Sequence, residues 1–174
     1  MSRAFLKEDA LDEPVLIPPR APLPTGVVNY VTPRGLRLLK TELRELELKR
    51  EKVQSSRGDD SDRTRQLTII RGRTQDLRAR IAGAKVLDPR QQPEDEVRFG
   101  ASVTMQTCDG KHPGEERRIS IVGVDEADAT EGRVAFVAPI ALSLLGRKVG
   151  ERTTLRAPHG EEILEIIEIA YALE

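Results

Sequence analysis

Two neighbouring segments of the chain carry apolar residues at positions that mirror each other. These positions are Leu36, Leu39, Leu43, Leu46 and Val53 in the first segment and Leu67, Ile70, Leu77, Ile81 and Ala84 in the second. The mirror point is Asp60, within the polar stretch 58–62. Spacings of three and four form a heptad seam, and two seams reflected about a polar turn are typical of an antiparallel helical hairpin. The sequence therefore predicts a two-helix arm with carboxylates at its far end.

Helix start and stop signals set the expected limits of the two helices. Thr32 offers a capping side chain and Pro33 suits a first helical position, so the first helix is expected from Pro33 to Ser55 or the next residue. The second helix is expected from about Asp62 to Leu87, ahead of a proline, because a residue that precedes proline leaves helical space. The hairpin, with its flanking residues, then spans residues 31–88.

Composition divides the rest of the chain into a tail, a linker and a second unit. Residues 1–30 are rich in proline, which forbids helix and predicts a flexible tail. Residues 89–96 are expected to be a linker, and residues 97–174 form the second unit. Its alternating runs predict short strands at 97–106, 117–124, 132–137, 152–156 and 161–171.

Two further signals refine the second unit. A short helix is expected between Pro139 and Gly146, because proline favours a helix start and glycine a helix end. The pair Ile166 and Ile167 breaks the alternation of the last strand, as a β-bulge would. The predicted fold class is therefore α+β: an N-terminal antiparallel helical hairpin, a coiled coil, followed by a small antiparallel β-sheet domain with one short helix.

The near-zero net charge of −1 conceals a polarity along the chain. Residues 36–85 contain 14 Lys or Arg against 8 Asp or Glu, whereas residues 94–174 contain 9 against 16. A basic arm with an acidic end thus projects from an acidic body. Such a distribution suits a site built of nucleic acid and protein better than a small neutral substrate.

Three aspartates, Asp59, Asp60 and Asp62, crowd the turn at the end of the arm. Carboxylates placed so close together raise each other's pKa and gain from a hard cation, and Mg²⁺ accepts one or two carboxylates while it keeps other ligands. Three aspartates cannot complete an octahedral shell, so the remaining ligands would come from a partner's active site or a phosphate. On composition alone, the same turn also fits a solvated loop and helix cap.

Arginines dominate the second helix. Arg71 and Arg78, and likewise Arg73 and Arg80, repeat at a spacing of seven residues and flank the seam, while Arg63 and Arg65 extend positive charge towards the tip. We interpret this series as an electrostatic track for RNA or DNA phosphate. Charged flanks that only keep a coiled coil soluble are the alternative. We also expect two ion pairs between the helices, Glu42 with Arg80 and Glu47 with Arg71.

Other kinds of site receive no support from the sequence. Cys108 is the one cysteine, so the monomer can build neither a disulfide nor a cysteine-based metal cage. His112 and His159 lie in turn-rich segments without ligand partners at suitable spacing, and no phosphate-binding glycine loop or Ser-His-Asp order is present. Because the chain has neither an apolar run long enough to span a bilayer nor a signal-peptide core, we expect a cytoplasmic protein.

Several motifs are shared with a known family. They include Val97-Arg-Phe-Gly-Ala-Ser-Val-Thr104 and Ala138-Pro-Ile-Ala-Leu-Ser-Leu-Leu-Gly146, with further matches at 31–43, 84–88, 118–128, 148–151 and 157–161. Over residues 31–172 the chain resembles the Gre family of bacterial transcription elongation factors, GreA and GreB. The resemblance implies a coiled coil that enters the secondary channel of RNA polymerase and an FKBP-like C-terminal domain that docks on the rim of the channel. It also implies that the tip helps to hold Mg²⁺ in the polymerase active site, where backtracked RNA is cut.

The resemblance assigns roles to individual residues. The family tip resembles Gly-Asp-x-x-Glu-Asn-Ala, so Asp59 and Asp62 take the two acidic positions as Mg²⁺ ligands, with Asp60 auxiliary. Asp62 is one methylene shorter than the glutamate of the pattern, and each arm lacks about one heptad, which shortens the reach by roughly 10 Å. The residues implied to bind polymerase lie in an acidic turn and at the start of the short helix: Asp125, Glu126, Asp128, Ala138, Pro139 and Ile140.

The sequence thus predicts a monomeric Gre-type factor that binds bacterial RNA polymerase and modulates elongation. Its partners would be the polymerase, the nascent RNA and DNA of the elongation complex, and its one cofactor would be Mg²⁺ shared with the polymerase. It would be no enzyme alone but a cofactor of the polymerase's own RNA cleavage. Two alternatives stay open: a regulator that blocks the channel without cleavage and competes with true cleavage factors, and a coiled-coil adaptor unrelated to polymerase.

Overall fold

The computed structural model describes residues 16, 17, 20–57, 59–158 and 160–171. Most of the predicted flexible tail, together with Gly58, His159 and the last three residues, lies outside these ranges, so the predictions made for those positions stay predictions. Among the residues described, no helix is long and apolar enough to cross a membrane.

Two helices of equal length form the predicted hairpin. Helix α1 spans Pro33–Ser55 and helix α2 spans Asp60–Ala82. The Thr32 hydroxyl caps α1 by accepting the N–H of Gly35 at 2.9 Å, as the sequence indicates. Leu39 and Leu77 are buried in the part of the seam near the base of the hairpin, and Val53 and Ile70 are buried nearer the tip. The mirrored heptad pattern is therefore confirmed.

The base of the hairpin differs from the prediction. Helix α2 ends at Ala82 rather than near Leu87, because Gly83 follows as a poor helix former and the chain then forms strand β2, Ala84–Val86. Strand β2 pairs in parallel with strand β1, Asn29–Val31, so the last residues assigned to the flexible tail belong to a two-stranded sheet.

The second unit is a five-stranded sheet. Its strands are β3 (Ser102–Asp109), β4 (Glu116–Val122), β5 (Arg133–Ala135), β6 (Arg152–Ala157) and β7 (Gly160–Ala170), in the spatial order β5-β4-β3-β7-β6. Three of the pairings are antiparallel, whereas β4 and β5 run parallel, which corrects the fully antiparallel prediction. The first strand also begins later than predicted, at Ser102, since Gly100 turns the chain with φ of 89°.

The irregularity predicted in the last strand is present. Thr104 of β3 pairs with Glu168 of β7, and the next residue, Met105, pairs with Ile166, so Ile167 has no partner position. This one-residue insertion is a β-bulge that bends β7 over the core. The predicted α+β class, with a helical hairpin followed by a small, mostly antiparallel sheet, is confirmed.

Helix α3, Pro139–Leu144, covers one face of the sheet through Ala141 and Leu144, which are fully buried. Three aromatic rings connect this core to the hairpin base. Tyr30 of β1 lies 6.0 Å from Phe99 and 5.8 Å from Phe136, measured between ring centroids, in tilted and edge-on arrangements. Such geometry adds about 0.5–1.5 kcal/mol per pair beyond area burial. The strand that closes the hairpin base is thereby anchored in the C-terminal domain.

Candidate functional site

The turn between the helices is formed by local capping. Helix α1 ends where the Ser56 hydroxyl donates to the carbonyl of Val53 at 2.8 Å. Helix α2 begins where Asp59 accepts the N–H of Asp62 at 3.2 Å, as an N-cap does. Asp60 and Asp62 then lie in the first turn of α2, where the helix dipole favours negative charge. The structure thus brings all three predicted aspartates together at the far end of the hairpin.

The three carboxylates differ in what they contact. Asp60 accepts from the Arg63 guanidinium at 2.5 Å and its side chain remains 85% exposed. One oxygen of Asp59 is used for the helix cap, and the carboxylate of Asp62 has no hydrogen-bond partner within the described part of the chain. Both residues are exposed. Asp59 and Asp62 consequently present carboxylate oxygens to the solvent, and Asp60 is partly neutralised by its arginine.

The tip does not form a metal cage of its own. Across residues 16–171, apart from the few positions not described, no group of three or more His, Cys, Asp or Glu side chains could hold a metal ion. The donor chemistry nevertheless fits Mg²⁺, since hard carboxylate oxygens on an exposed surface can contribute one or two ligands to a shell completed elsewhere. Asp59 and Asp62 are the two residues that could make this contribution.

The predicted arginine track is largely exposed. Arg65, Arg71 and Arg73 lie on the surface of α2. Arg78 is 60% exposed and pairs with Glu47 at 2.9 Å, so the expected pairing of Glu47 with Arg71 is wrong. Arg78 lies two helical turns beyond Arg71 along α2, towards the base of the hairpin.

A groove of about 520 Å³ runs along this face of the hairpin. Arg50 from α1 and Arg71 and Arg78 from α2 line it, together with the amide side chains of Gln54 and Gln75. Guanidinium and amide donors on a concave surface suit phosphate oxygens.

Arg80 departs from the track. Its side chain is only 11% exposed, its Nε lies 3.3 Å from the Asp125 carboxylate, and its guanidinium donates to the carbonyl oxygen of Ala21. The expected pairing of Glu42 with Arg80 is therefore also wrong, and Glu42 pairs with Arg20 instead. The C-terminal domain covers this part of α2, so Arg80 belongs to the contact between the two units.

The predicted acidic turn is divided between two environments. The side chains of Asp125 and Glu126 are 6% and 3% exposed and face the hairpin. Glu126 accepts from the Thr32 hydroxyl at 2.5 Å and pairs with Arg34 at 3.0 Å, at the N-terminus of α1. A carboxylate in this position complements the helix dipole. Both residues thus hold the two units of the chain together.

Asp128 and the start of α3 are partly exposed at the surface of the domain. Asp128 accepts the hydroxyl of Thr130 at 2.6 Å and its N–H at 2.9 Å, and these hydrogen bonds hold the pKa of the Asp128 carboxyl below its usual value. Ala138 precedes α3, Pro139 is exposed at its first position, and Ile140 packs partly against the core.

Sequence reasoning missed the contact made by Arg20. Its guanidinium joins Glu42 of α1 to Asp125 of the C-terminal domain. No periodicity or motif marks this arginine, since it lies in a proline-rich stretch and its two acidic partners are 22 and 105 residues away along the chain.

Comparison with known proteins gives consistent matches. A sequence model described as "Transcription elongation factor, GreA/GreB, C-term" matches residues 92–171. GreB of Neisseria meningitidis serogroup A is 33% identical over 161 residues, an alignment that covers 84% of this chain and 96% of that protein. GreA of Syntrophotalea carbinolica is 34% identical over 155 residues and is covered to 96%. The alignment with GreA of Thermodesulfovibrio yellowstonii, 38% identical over 104 residues, covers 64% of that relative.

Two solved structures also align with most of this chain. A GreA/GreB factor from Nitrosomonas europaea aligns with 83% of this chain and 99% of its own, with 20% identity and a TM-score of 0.41. GreA factor homolog 1 of Thermus thermophilus aligns with 81% of this chain and 97% of its own, with 18% identity and a TM-score of 0.39.

Proposed function

The chain belongs to the GreA/GreB family of transcription elongation factors, and from this premise we propose that it binds bacterial RNA polymerase and acts inside the secondary channel through the tip of its hairpin. The C-terminal domain anchors the protein outside the channel, and α1 and α2 reach inwards. Asp59 and Asp62 then stimulate the polymerase's own cleavage of backtracked RNA, so the protein serves as a cofactor and not as an enzyme.

The exposed carboxylates at the end of the hairpin are the observation that carries this proposal. Each helix contains 23 residues, which corresponds to about 35 Å of reach. The opposite end of the hairpin is held to the C-terminal domain by buried Glu126 and Asp125. Charge is therefore presented well away from the anchor, which supports a role for the tip in a narrow, recessed site.

In this proposal Asp59 and Asp62 contribute carboxylate oxygens to a Mg²⁺ ion whose other ligands belong to the polymerase. The ion supplies Lewis-acid activation of water for phosphodiester hydrolysis. Asp62 is free to turn towards the ion, while Asp59 keeps one oxygen on the α2 N-cap and offers the other. Arg63 holds Asp60 aside by a 2.5 Å contact, which limits the negative charge at the tip.

The exposed arginines of α2 have a supporting role in the same proposal. Arg65, Arg71, Arg73 and Arg78 are exposed along α2 and attract the phosphates of RNA or DNA that lies beside the hairpin. Phosphate contacts position a nucleic acid without reading its sequence. These arginines therefore orient the RNA without selecting particular transcripts.

Docking on polymerase is assigned to the outer surface of the C-terminal domain. Pro139 is exposed, and Asp128, Ala138 and Ile140 are half-buried, so each leaves part of its surface accessible. Asp125 and Glu126 support docking indirectly, since they are buried against α1 and set the direction of the hairpin.

A cleavage assay tests the proposal. Stalled, backtracked elongation complexes with end-labelled RNA are mixed with the protein and Mg²⁺, and shortened RNA is measured. We expect shortening with the natural chain and its loss in the double variant Asp59→Asn, Asp62→Asn. Asp76→Asn is the matched control, because Asp76 is an exposed aspartate of α2 far from the tip. Equal shortening by the double variant and the control would exclude the proposed role of the tip.

A regulator that blocks the channel without cleavage is the second candidate. The observation that favours it is the engagement of Asp59 and Asp60 in the N-cap and the Arg63 pair, which leaves Asp62 as the least encumbered carboxylate. In that case the natural chain leaves the RNA uncut and displaces a cleavage factor from the same complexes. An absence of any polymerase binding would leave only the coiled-coil adaptor.

A further inference from the structure

We propose that residues 20–23 form a strap that fixes the direction of the hairpin relative to the C-terminal domain, and that Arg20 is the residue on which this depends. The Arg20 guanidinium donates to both oxygens of Glu42 on α1, at 2.7 and 3.0 Å, and its Nε donates to Asp125 at 3.1 Å. Only 22% of the side chain is exposed. One planar cation therefore joins the helix to the domain through three hydrogen bonds.

The position of Glu42 makes this contact effective. The hairpin is also attached at its base, where Thr32 and Arg34 contact Glu126. Glu42 lies ten residues beyond Thr32, which is about 15 Å along the helix axis. A single attachment at the base would allow α1 to tilt about that point. The pair of Arg80 with Asp125 holds α2, and the contact of Arg20 with Glu42 attaches α1 about 15 Å from its base and opposes the tilt of that helix.

The residues that follow Arg20 also hold the strap in place. Arg80 of α2 donates to the carbonyl oxygen of Ala21, and Leu23 packs against the core of the C-terminal domain. Pro22 and Pro24 restrict the backbone, which reduces the conformational entropy lost when the segment is ordered. The strap is thus a stiff segment with contacts to α2 and to the sheet domain, while its arginine reaches α1.

Helix α1 acts as a lever, so a small tilt near Glu42 becomes a larger displacement at the tip. The tip lies roughly 35 Å from the base of the helix and Glu42 about 15 Å, so a displacement at Glu42 is about doubled at the tip. Placement of a catalytic group within about an ångström matters for reaction rate. A contact that limits tilt near Glu42 therefore limits the positional error of Asp59 and Asp62.

Distance measurements on the full-length protein alone test the strap, independently of the proposed function. Spin labels are attached at Gln66→Cys on α2 and Thr154→Cys on β6, both exposed positions, in a Cys108→Ser background. We expect one narrow distance distribution for this protein. Arg20→Ala should broaden the distribution about twofold, as expected when the attachment farther along the lever is lost. Arg44→Ala, which removes an exposed arginine of α1, is the matched control and should leave the width unchanged.

Two further variants keep the test decisive. Glu42→Gln removes the charge on the hairpin side and leaves the Arg20 contact with Asp125 in place, so it should also broaden the distribution. Arg20→Lys should give an intermediate width, because an ammonium group cannot reproduce the bidentate contact. Circular dichroism confirms that each variant retains its helices. If folded Arg20→Ala and Glu42→Gln proteins show the width of the Arg44→Ala control, the strap does not fix the hairpin.

Discussion

Glu126 offers the sharpest test of how the hairpin is attached. Its carboxylate is 3% exposed, accepts from the Thr32 hydroxyl and the Arg34 guanidinium, and lies at the N-terminus of α1. Loss of a charge-assisted hydrogen bond costs about 1.5–3 kcal/mol, and loss of the interaction with the helix dipole costs about 0.3–1 kcal/mol. Arg34 remains 27% exposed, so water can solvate it in a variant. This keeps the cost below the roughly 3–5 kcal/mol of a fully buried broken pair.

We therefore expect Glu126→Ala to lower the free energy of unfolding by about 2–4 kcal/mol. Glu126→Gln should lower it by about 2 kcal/mol, since the amide oxygen still accepts from Thr32. Urea unfolding followed by far-ultraviolet circular dichroism measures the effect, and a loss of 2 kcal/mol moves the midpoint by roughly 1 M.

Glu131→Gln is the control for these two variants. Glu131 lies five residues after Glu126 in the chain. Its side chain is 60% exposed and lies 3.7 Å from the guanidinium of Arg133. A long contact made by a mostly exposed carboxylate contributes little to stability, so the free energy of unfolding should stay within about 0.5 kcal/mol of that of the natural chain. If both Glu126 variants have the same urea midpoint as the control, buried Glu126 does not stabilise the attachment of α1.

Further predictions concern the hairpin and the acid response. Gly72→Ala should stabilise α2 by about 1 kcal/mol, because a Cβ would displace only the flexible end of Ile17; a lower urea midpoint would contradict this. Leu77→Ala, at a fully buried seam position, should cost about 2–5 kcal/mol in the same assay. The hydrogen bond from Thr130 lowers the pKa of Asp128, so its contribution to stability is present above about pH 4 and is lost as the pH falls through the folded-state pKa. Asp128→Asn should therefore make acid unfolding less steep, and an unchanged slope would contradict the assignment.

The sequence predicts the hairpin well because its signals are local. Thr32, Pro33 and the heptad seam act within one or two helical turns, so capping and periodicity alone determine where α1 begins and which faces meet. The bulge at Ile167 is likewise a local signal, because the adjacent residues Ile166 and Ile167 interrupt the alternation of the strand. The exposed tip follows from the same pattern, since a polar turn between two apolar seams has nothing to pack against.

The contacts between the two units could not be predicted in this way. Strand β1 has only three residues and pairs with a strand that follows the entire hairpin. Arg80 shares the seven-residue spacing of Arg73, yet the C-terminal domain covers one and leaves the other exposed. Arg20 and Asp125 are 105 residues apart. The pairing of charged residues across a domain contact depends on the packed structure, and no periodic pattern in the sequence marks it.

The position of the tip in an elongation complex tests the central claim most directly. A photocrosslinker is attached at Ser61→Cys, between the tip aspartates, in the Cys108→Ser background, and the protein is bound to backtracked complexes with labelled RNA. Thr154→Cys, on the C-terminal sheet, serves as the reference position. The account predicts crosslinks from the tip to the 3′ end of the RNA and none from the reference position. Crosslinks from the tip only to the outer surface of the polymerase, with none to RNA, would contradict it.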